Sequence, residues 1–190
     1  MVGSGPSRLS LSLPLSLPVL AINRAILDHP SAKYWAAHDI DSMTDVVGAL
    51  KTLPTLITYS PNTVKERWGE LLKYSPILVD VFLDPSRHKK RPLYWNMTTL
   101  GWVFDLLSLW GYGPIYTIGC ELTQGGYVNP HFTDDELKRQ HLGVRERVKE
   151  MFRPENKHKW ASNVRIVDLS NGNLPVEKRD LASFLAEFRV

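Results

Sequence analysis

Arg87-His88-Lys89-Lys90-Arg91 stands directly before an apolar, aromatic-edged stretch from Leu93 to Gly119, and the next Lys or Arg is Lys138. A basic cluster on one flank and none on the other is how a single membrane span is oriented, because Lys and Arg are held on the inner side. On this reading, residues 93–119 form a transmembrane helix. Tyr94 and Trp95 mark one interface, and Trp110 and Tyr112 the other, since an indole or phenol ring sits inward while its polar atom stays wet. From Trp95 to Trp110 a helix rises about 22 Å, most of a hydrocarbon core about 30 Å thick. Asp105 opposes this reading, because a carboxylate at the bilayer centre costs about 2.5–3.5 kcal/mol. The span therefore requires Asp105 to face a partner helix inside a larger complex. A buried helix of a globular domain is the alternative.

Bulk properties exclude less. The 23 basic and 20 acidic residues leave a net charge of +3, a small surplus that suits a membrane surface without requiring nucleic acid. Cys120 is the only cysteine, which excludes an intramolecular disulfide and argues against a cysteine-clustered zinc site. Residues 1–27 carry no acidic side chain, and Pro6, Pro14 and Pro18 interrupt any long helix there. That segment reads as an extended arm laid against a partner, running into a short helix (residues 1–30).

Elsewhere the spacing predicts helices. Val19 to Asp28 reads as a short one stopped by His29-Pro30, and Ser31 to His38 as another turn or two. Asp41 caps a helix running to about Leu53, with Met43, Val46, Val47 and Leu50 at helical spacing. Ser60-Pro61 opens a further helix carrying Val64, Trp68, Leu71 and Leu72. An apolar segment, Ile77 to Leu83, follows Pro76, and residues 31–92 make up a helical domain. In the tail, residues 120–190, Thr133-Asp134-Asp135-Glu136 forms a capping box for a helix reaching Pro154. Val164 to Leu169 reads as a β-like run ending in an Asn171-Gly172 turn. The last helix begins at Pro175 and carries Leu181, Phe184, Leu185 and Phe188 as a docking stripe. The fold class expected is mainly α: a helical N-terminal domain, one transmembrane helix and a helical, loop-rich tail.

No catalytic constellation emerges. No two of the six histidines share the i, i+4 spacing of a helical metal site, and the carboxylates of the His38-Asp39-Ile40-Asp41 run are explained by a capped helix start. Neither standard Gly-rich phosphate loop is present, and Gly111-Tyr112-Gly113 is followed by proline and opens no helix. Catalytic, cofactor-binding and metal-binding residues are therefore expected to be absent. Residues 87–91 are also a candidate grip for RNA phosphates, but residues 93–190 hold twelve basic and twelve acidic side chains, so nucleic acid is an unfavoured partner.

Several short elements resemble the nuclear-encoded subunit four of mitochondrial cytochrome c oxidase. Asp28-His29-Pro30 lies in the N-terminal part, and Tyr112-Gly113-Pro114 follows the presumed span. Phe132 leads a helix containing Gln140, and Met151, Pro154 and Lys159-Trp160 come after. The chain departs from that family in residues 117–128, which look inserted, in Asp105, and in the thirty residues beyond Trp160. The resemblance implies a non-catalytic accessory subunit of an inner-membrane respiratory complex, single-pass, with its N-terminus in the matrix. Its partners would be other subunits and phospholipid, with cardiolipin near Arg87, Lys89, Lys90 and Arg91. Alternatives of the same kind are accessory subunits of complex I, complex III or the ATP synthase. From other classes come an RNA-binding mitochondrial ribosomal protein and a soluble helical scaffold.

Overall fold

The computed structural model describes the chain except residues 38, 53, 60–75, 80, 83–92, 95–97, 123–132 and 161–162. Its framework is parallel β-sheet. Strands β1 (Leu20–Ile22), β2 (Tyr34–Ala36), β3 (Thr55–Tyr59) and β4 (Ile77–Val79) pair in sequence order. A short pair, β5 (Val81–Phe82) and β6 (Leu93–Tyr94), follows. Then β7 (Ile115–Thr117), β8 (Ile166–Asp168) and β9 (Glu177–Lys178) form a second parallel run.

Residues 1–3 join the two larger sheets. Val2 bridges Ala21 on one side and Ile118 on the other, both in parallel register. Its amide donates to the Leu20 carbonyl at 2.8 Å, and the Gly3 amide donates to the Ile118 carbonyl at 2.7 Å. The strand order is thus β4-β3-β2-β1-(1–3)-β7-β8-β9. From the centre the chain winds outward to β4, then returns to the opposite flank at β7 and winds outward again.

Alternation along these strands places a core on each face. Leu20, Ile22, Ala36, Ile57, Ile115 and Ile166 join one cluster, with Trp102, Phe104, Val148 and Met151. Ala21, Trp35, Leu56 and Ile118 join the other, with Ile26, Met43, Val46 and Phe184. The helices supplying these layers are α1 (Ala25–Asp28), α2 (Ile40–Ala49), α3 (Thr99–Leu109), α4 (Asp134–Met151) and α5 (Leu181–Phe188). Helices α3 and α4 cover one face, and α1, α2 and α5 the other. A sheet buried on both sides needs apolar residues at successive positions, which is how parallel strands read.

The mainly-α expectation is therefore corrected to α/β. The region read as a short helix at 19–28 holds β1 and then the four-residue helix α1, which does end at Asp28. The turn expected at 31–38 holds β2, and the apolar run after Pro76 contains β4 and β5. The start of the N-terminal arm, residues 1–3, lies in the middle of the sheet. The expected Ser60 helix lies outside the described residues. The capped helix α4 and the strand at 166–168 are found as expected. The helix expected from Asp41 to about Leu53 runs Ile40–Ala49 behind Asp39, whose side chain makes no capping bond, and the last helix starts later, at Leu181 behind an Asp180 cap.

The transmembrane helix is corrected too. No helix among the described residues is long and apolar enough to cross a membrane. Residues 93–119 divide into β6, α3 and β7. Helix α3 has eleven residues, rising about 16 Å at 1.5 Å per residue, half of a bilayer core. The Thr98 hydroxyl caps its start by accepting the Gly101 amide at 3.2 Å. Gly111, at φ +77°, ends it in a Schellman turn. There the Tyr112 amide donates to the Leu107 carbonyl at 2.9 Å and the Gly111 amide to Ser108 at 3.0 Å. The placement as a single-pass inner-membrane protein falls with the span.

Candidate functional site at the centre of the sheet

Strands β1–β4, residues 1–3 and β7–β9 run parallel, so their carboxyl ends lie along one edge. At its middle the central strand leaves the sheet through Gly3-Ser4-Gly5 and enters a 3-10 turn, Pro6–Ser10. Here the chain passes extremely close to the segment leaving β7. A Cβ on Gly3 would overlap the Gly119 carbonyl oxygen, and a Cβ on Gly5 would overlap Glu121 Oε2. Gly119, at φ +74°, has the Gly3 carbonyl where its own Cβ would be. Only glycine fits where two backbones approach this closely.

Hydrogen bonds then lock the two turns together. The Gly5 amide donates to the Gly119 carbonyl at 2.7 Å, and the Gly119 amide to Ser7 Oγ at 2.9 Å. The Ser7 amide donates to Glu121 Oε1 at 2.5 Å. Arg8 holds the turn from behind: its guanidinium donates to the Ser4 and Gly5 carbonyls at 3.0 and 3.1 Å, and pairs with Asp28 at 2.6 Å. The buried His29 ring places Nε2 2.9 Å from the Arg8 carbonyl.

Both flanks carry left-handed residues that are not glycine. On one side Asn23, just past β1, sits at φ +51°. Its carbonyl accepts the Trp35 indole N–H at 2.9 Å, and its Oδ1 accepts the Thr99 hydroxyl at 3.3 Å. On the other side Leu122, just past β7, sits at φ +54°. Asparagine tolerates this region, whereas a branched aliphatic residue there stores strain of about 1–3 kcal/mol. Such outliers cluster at ligand sites.

Beside Leu122, Glu121 is only 6% exposed, and its Oε2 has no hydrogen-bond partner. The Asn173 amide donates to the Glu121 carbonyl at 2.6 Å, tying in the turn after β8. There the fully buried Asp168 is well satisfied, accepting from the Thr117 hydroxyl, the Ser170 amide and hydroxyl, and Lys178 Nζ. Burial pushes the neighbouring Cys120 thiol up to about 12. Among the described residues no group of three or more His, Cys, Asp or Glu is placed to hold a metal ion.

In open α/β sheets, ligands bind outside the carboxyl ends of the strands, where the winding direction reverses. The Gly3–Ser7 turn occupies that point. Gly3 and Gly5 match the first two glycines of the dinucleotide fingerprint, while Arg8 stands at the third position. The second fingerprint glycine normally leaves room for a ligand phosphate. At Gly5 that room is taken by the Glu121 carboxylate.

None of the residues singled out from the sequence lies in this turn. Arg87, Lys89, Lys90, Arg91 and Trp95 are outside the described residues. Tyr94 is buried in β6, where its amide donates to Asp105 Oδ2 at 2.7 Å. Asp105, 0% exposed, thus makes an internal link between α3 and β6 rather than an intramembrane contact. At the amino end of the sheet Trp110 packs tilted against Tyr34, with centroids 5.8 Å apart, and edge-on to Tyr112, 6.5 Å away. An apolar cavity of about 250 Å³ lies at that end, walled in part by Leu20, Tyr34, Tyr116 and Phe188. The Gly3–Ser7 turn was missed although Val2-Gly3-Ser4-Gly5 carries its signal: an apolar residue leading into G-x-G. The strand that gives the motif meaning, residues 1–3, is too short to be seen in the sequence. Comparison with protein-family models, curated proteins and solved structures finds no match, so the reading of this site rests on its geometry alone.

Proposed function

We propose that this chain is a ligand-binding α/β domain that takes a phosphate-bearing small molecule of the nucleotide class at the carboxyl edge of its sheet, over the Gly3–Ser7 turn. The observation that carries the reading is the reversal of winding at residues 1–3, with a glycine turn at that point and β1 and β7 on either side. Doubly wound sheets place ligands there because the loops from the two flanks diverge and leave a crevice. The left-handed Asn23 and Leu122 on the two flanks support the same position.

Thermal unfolding in the presence of nucleoside mono- and diphosphates, NAD and the corresponding free nucleosides tests the proposal. A ligand at one hundred times its Kd stabilises the folded state by about 2.7 kcal/mol. At least one phosphate-bearing compound is expected to raise Tm at millimolar concentration, with its free nucleoside inactive. Asn23→Ala, at the half-exposed edge of the site, should reduce that shift without lowering the Tm of the free protein by more than a few degrees. No shift from any nucleotide would remove the proposal.

A further inference from the structure

Glu121 poses a problem that the closed site does not solve. Its carboxylate is almost wholly buried; one oxygen takes the Ser7 amide and the other takes nothing. Among the described residues, Arg8 is committed to Asp28 and Lys178 to Asp168. A buried carboxylate that has, among the described residues, neither a cation nor a full set of donors is costly to keep. It nevertheless fills the space beside Gly5 that a fingerprint turn reserves for a ligand phosphate. Two anions do not share one such space.

We infer that Glu121 is a built-in occupant of the phosphate position, and that a ligand phosphate binds by displacing it. This rests on the reading of the turn as a ligand site and adds how that site is regulated. In the free protein the carboxylate holds the two glycine turns together through Ser7. A phosphate group brings more acceptor oxygens to the same backbone than one carboxylate oxygen supplies. Displacement returns the Glu121 charge to water, and it frees Leu122 from its left-handed conformation, so two unfavourable features of the closed state are relieved together. The affinity of the site for phosphate is thereby held down by the work of moving residues 119–122. A neutral ligand would have no such competitor.

Inorganic pyrophosphate is the probe, because it carries the shared chemistry without a base. Calorimetric titration of the full chain should give weak binding in the wild type. Glu121→Gln, which keeps the shape and removes the charge, should bind more tightly. Glu121→Ala, which empties the space, should bind about tenfold more tightly or better, a difference of about 1.4 kcal/mol. In the unaltered protein, pyrophosphate should accelerate amide hydrogen exchange across residues 119–122. The exchange measurement needs no variant and keeps the test intact should Glu121→Ala fail to fold. Equal or weaker binding by the folded variants overturns the displacement, as does unchanged or slowed exchange at 119–122. If nucleotides still raise Tm in that case, the binding site stands and only the role of Glu121 is lost. If pyrophosphate binds no form of the protein, the displacement is also overturned.

Discussion

At the scale of single residues, the site is built from what is missing: side chains at Gly3, Gly5 and Gly119. Without them two backbones meet, and Cys120 is sealed between the central strand and β7 at 6% exposure. Burial, reinforced by the charges of Asp168 and Glu121, pushes its thiol up to about 12, so the thiolate that reacts with electrophiles is scarce at neutral pH. Native protein at pH 8 should therefore resist a chromogenic disulfide reagent. The same protein in strong denaturant should release one equivalent of chromophore promptly. Prompt reaction in the native state would show that the packing of the two turns is wrong. That Cys120 has no cysteine partner was legible in the sequence. Its position against Gly3 was not, because the two are far apart along the chain.

At the scale of elements, α3 shows why apolarity alone misleads. It is buried almost all round, with Trp102, Val103 and Phe104 at 0% exposure, and a helix apolar on every side belongs either in a core or in lipid. Length and ends decide between the two, and here the Thr98 cap and the Gly111 turn set eleven residues. Asp105 then binds the Tyr94 amide and fixes α3 to β6. Asp105→Leu should leave that buried amide without its acceptor and lower stability by about 1–3 kcal/mol in urea titrations. Asp105→Asn, which retains an acceptor oxygen, should lose less. Equal stability of the Leu variant and wild type would remove the link.

The C-terminal elements carry a pH dependence of known sign. The Arg165 guanidinium, 2.5 Å away, holds the Glu177 carboxyl below its ordinary 4.5. The Ser183 amide and hydroxyl hold Asp180 below its ordinary 3.8. A carboxyl depressed in the folded state binds fewer protons there than in the unfolded state. Its contribution is therefore complete above the ordinary value and is lost as pH falls through the lower folded one. The urea midpoint should drop on acidification below about pH 4. Glu177→Gln should make that drop shallower, and an identical acid profile for the variant would discount the Arg165 pair.

At the scale of the molecule, everything hinges on residues 1–3. Val2 is 1% exposed and hydrogen-bonds into both halves of the sheet, so the second residue of the chain ties β1–β4 to β7–β9. Val2→Pro removes the amide that donates to Leu20 and leaves a buried carbonyl unpaired, for about 1–3 kcal/mol. Unfolding should become less cooperative as the two runs of strands lose their tie. A wild-type urea midpoint and slope in that variant would refute the joined sheet. No periodicity reveals such a role, because two residues have no period.

Local chemistry was legible from the sequence alone. The capping box at Thr133 and Glu136 and the β-like run near 166 depend on neighbours within a few positions and are found; the helix expected from Asp41 is found too, but its N-cap is Asp39 and it ends at Ala49. Short strands buried on both faces lack the alternation that separates strand from helix, so β1 and β2 read as helical turns. The site lay further out of reach. It arises where Gly3, Asn23, Gly119 and Glu121 are brought together by strand order, and strand order is settled by which surfaces bury one another across the whole chain.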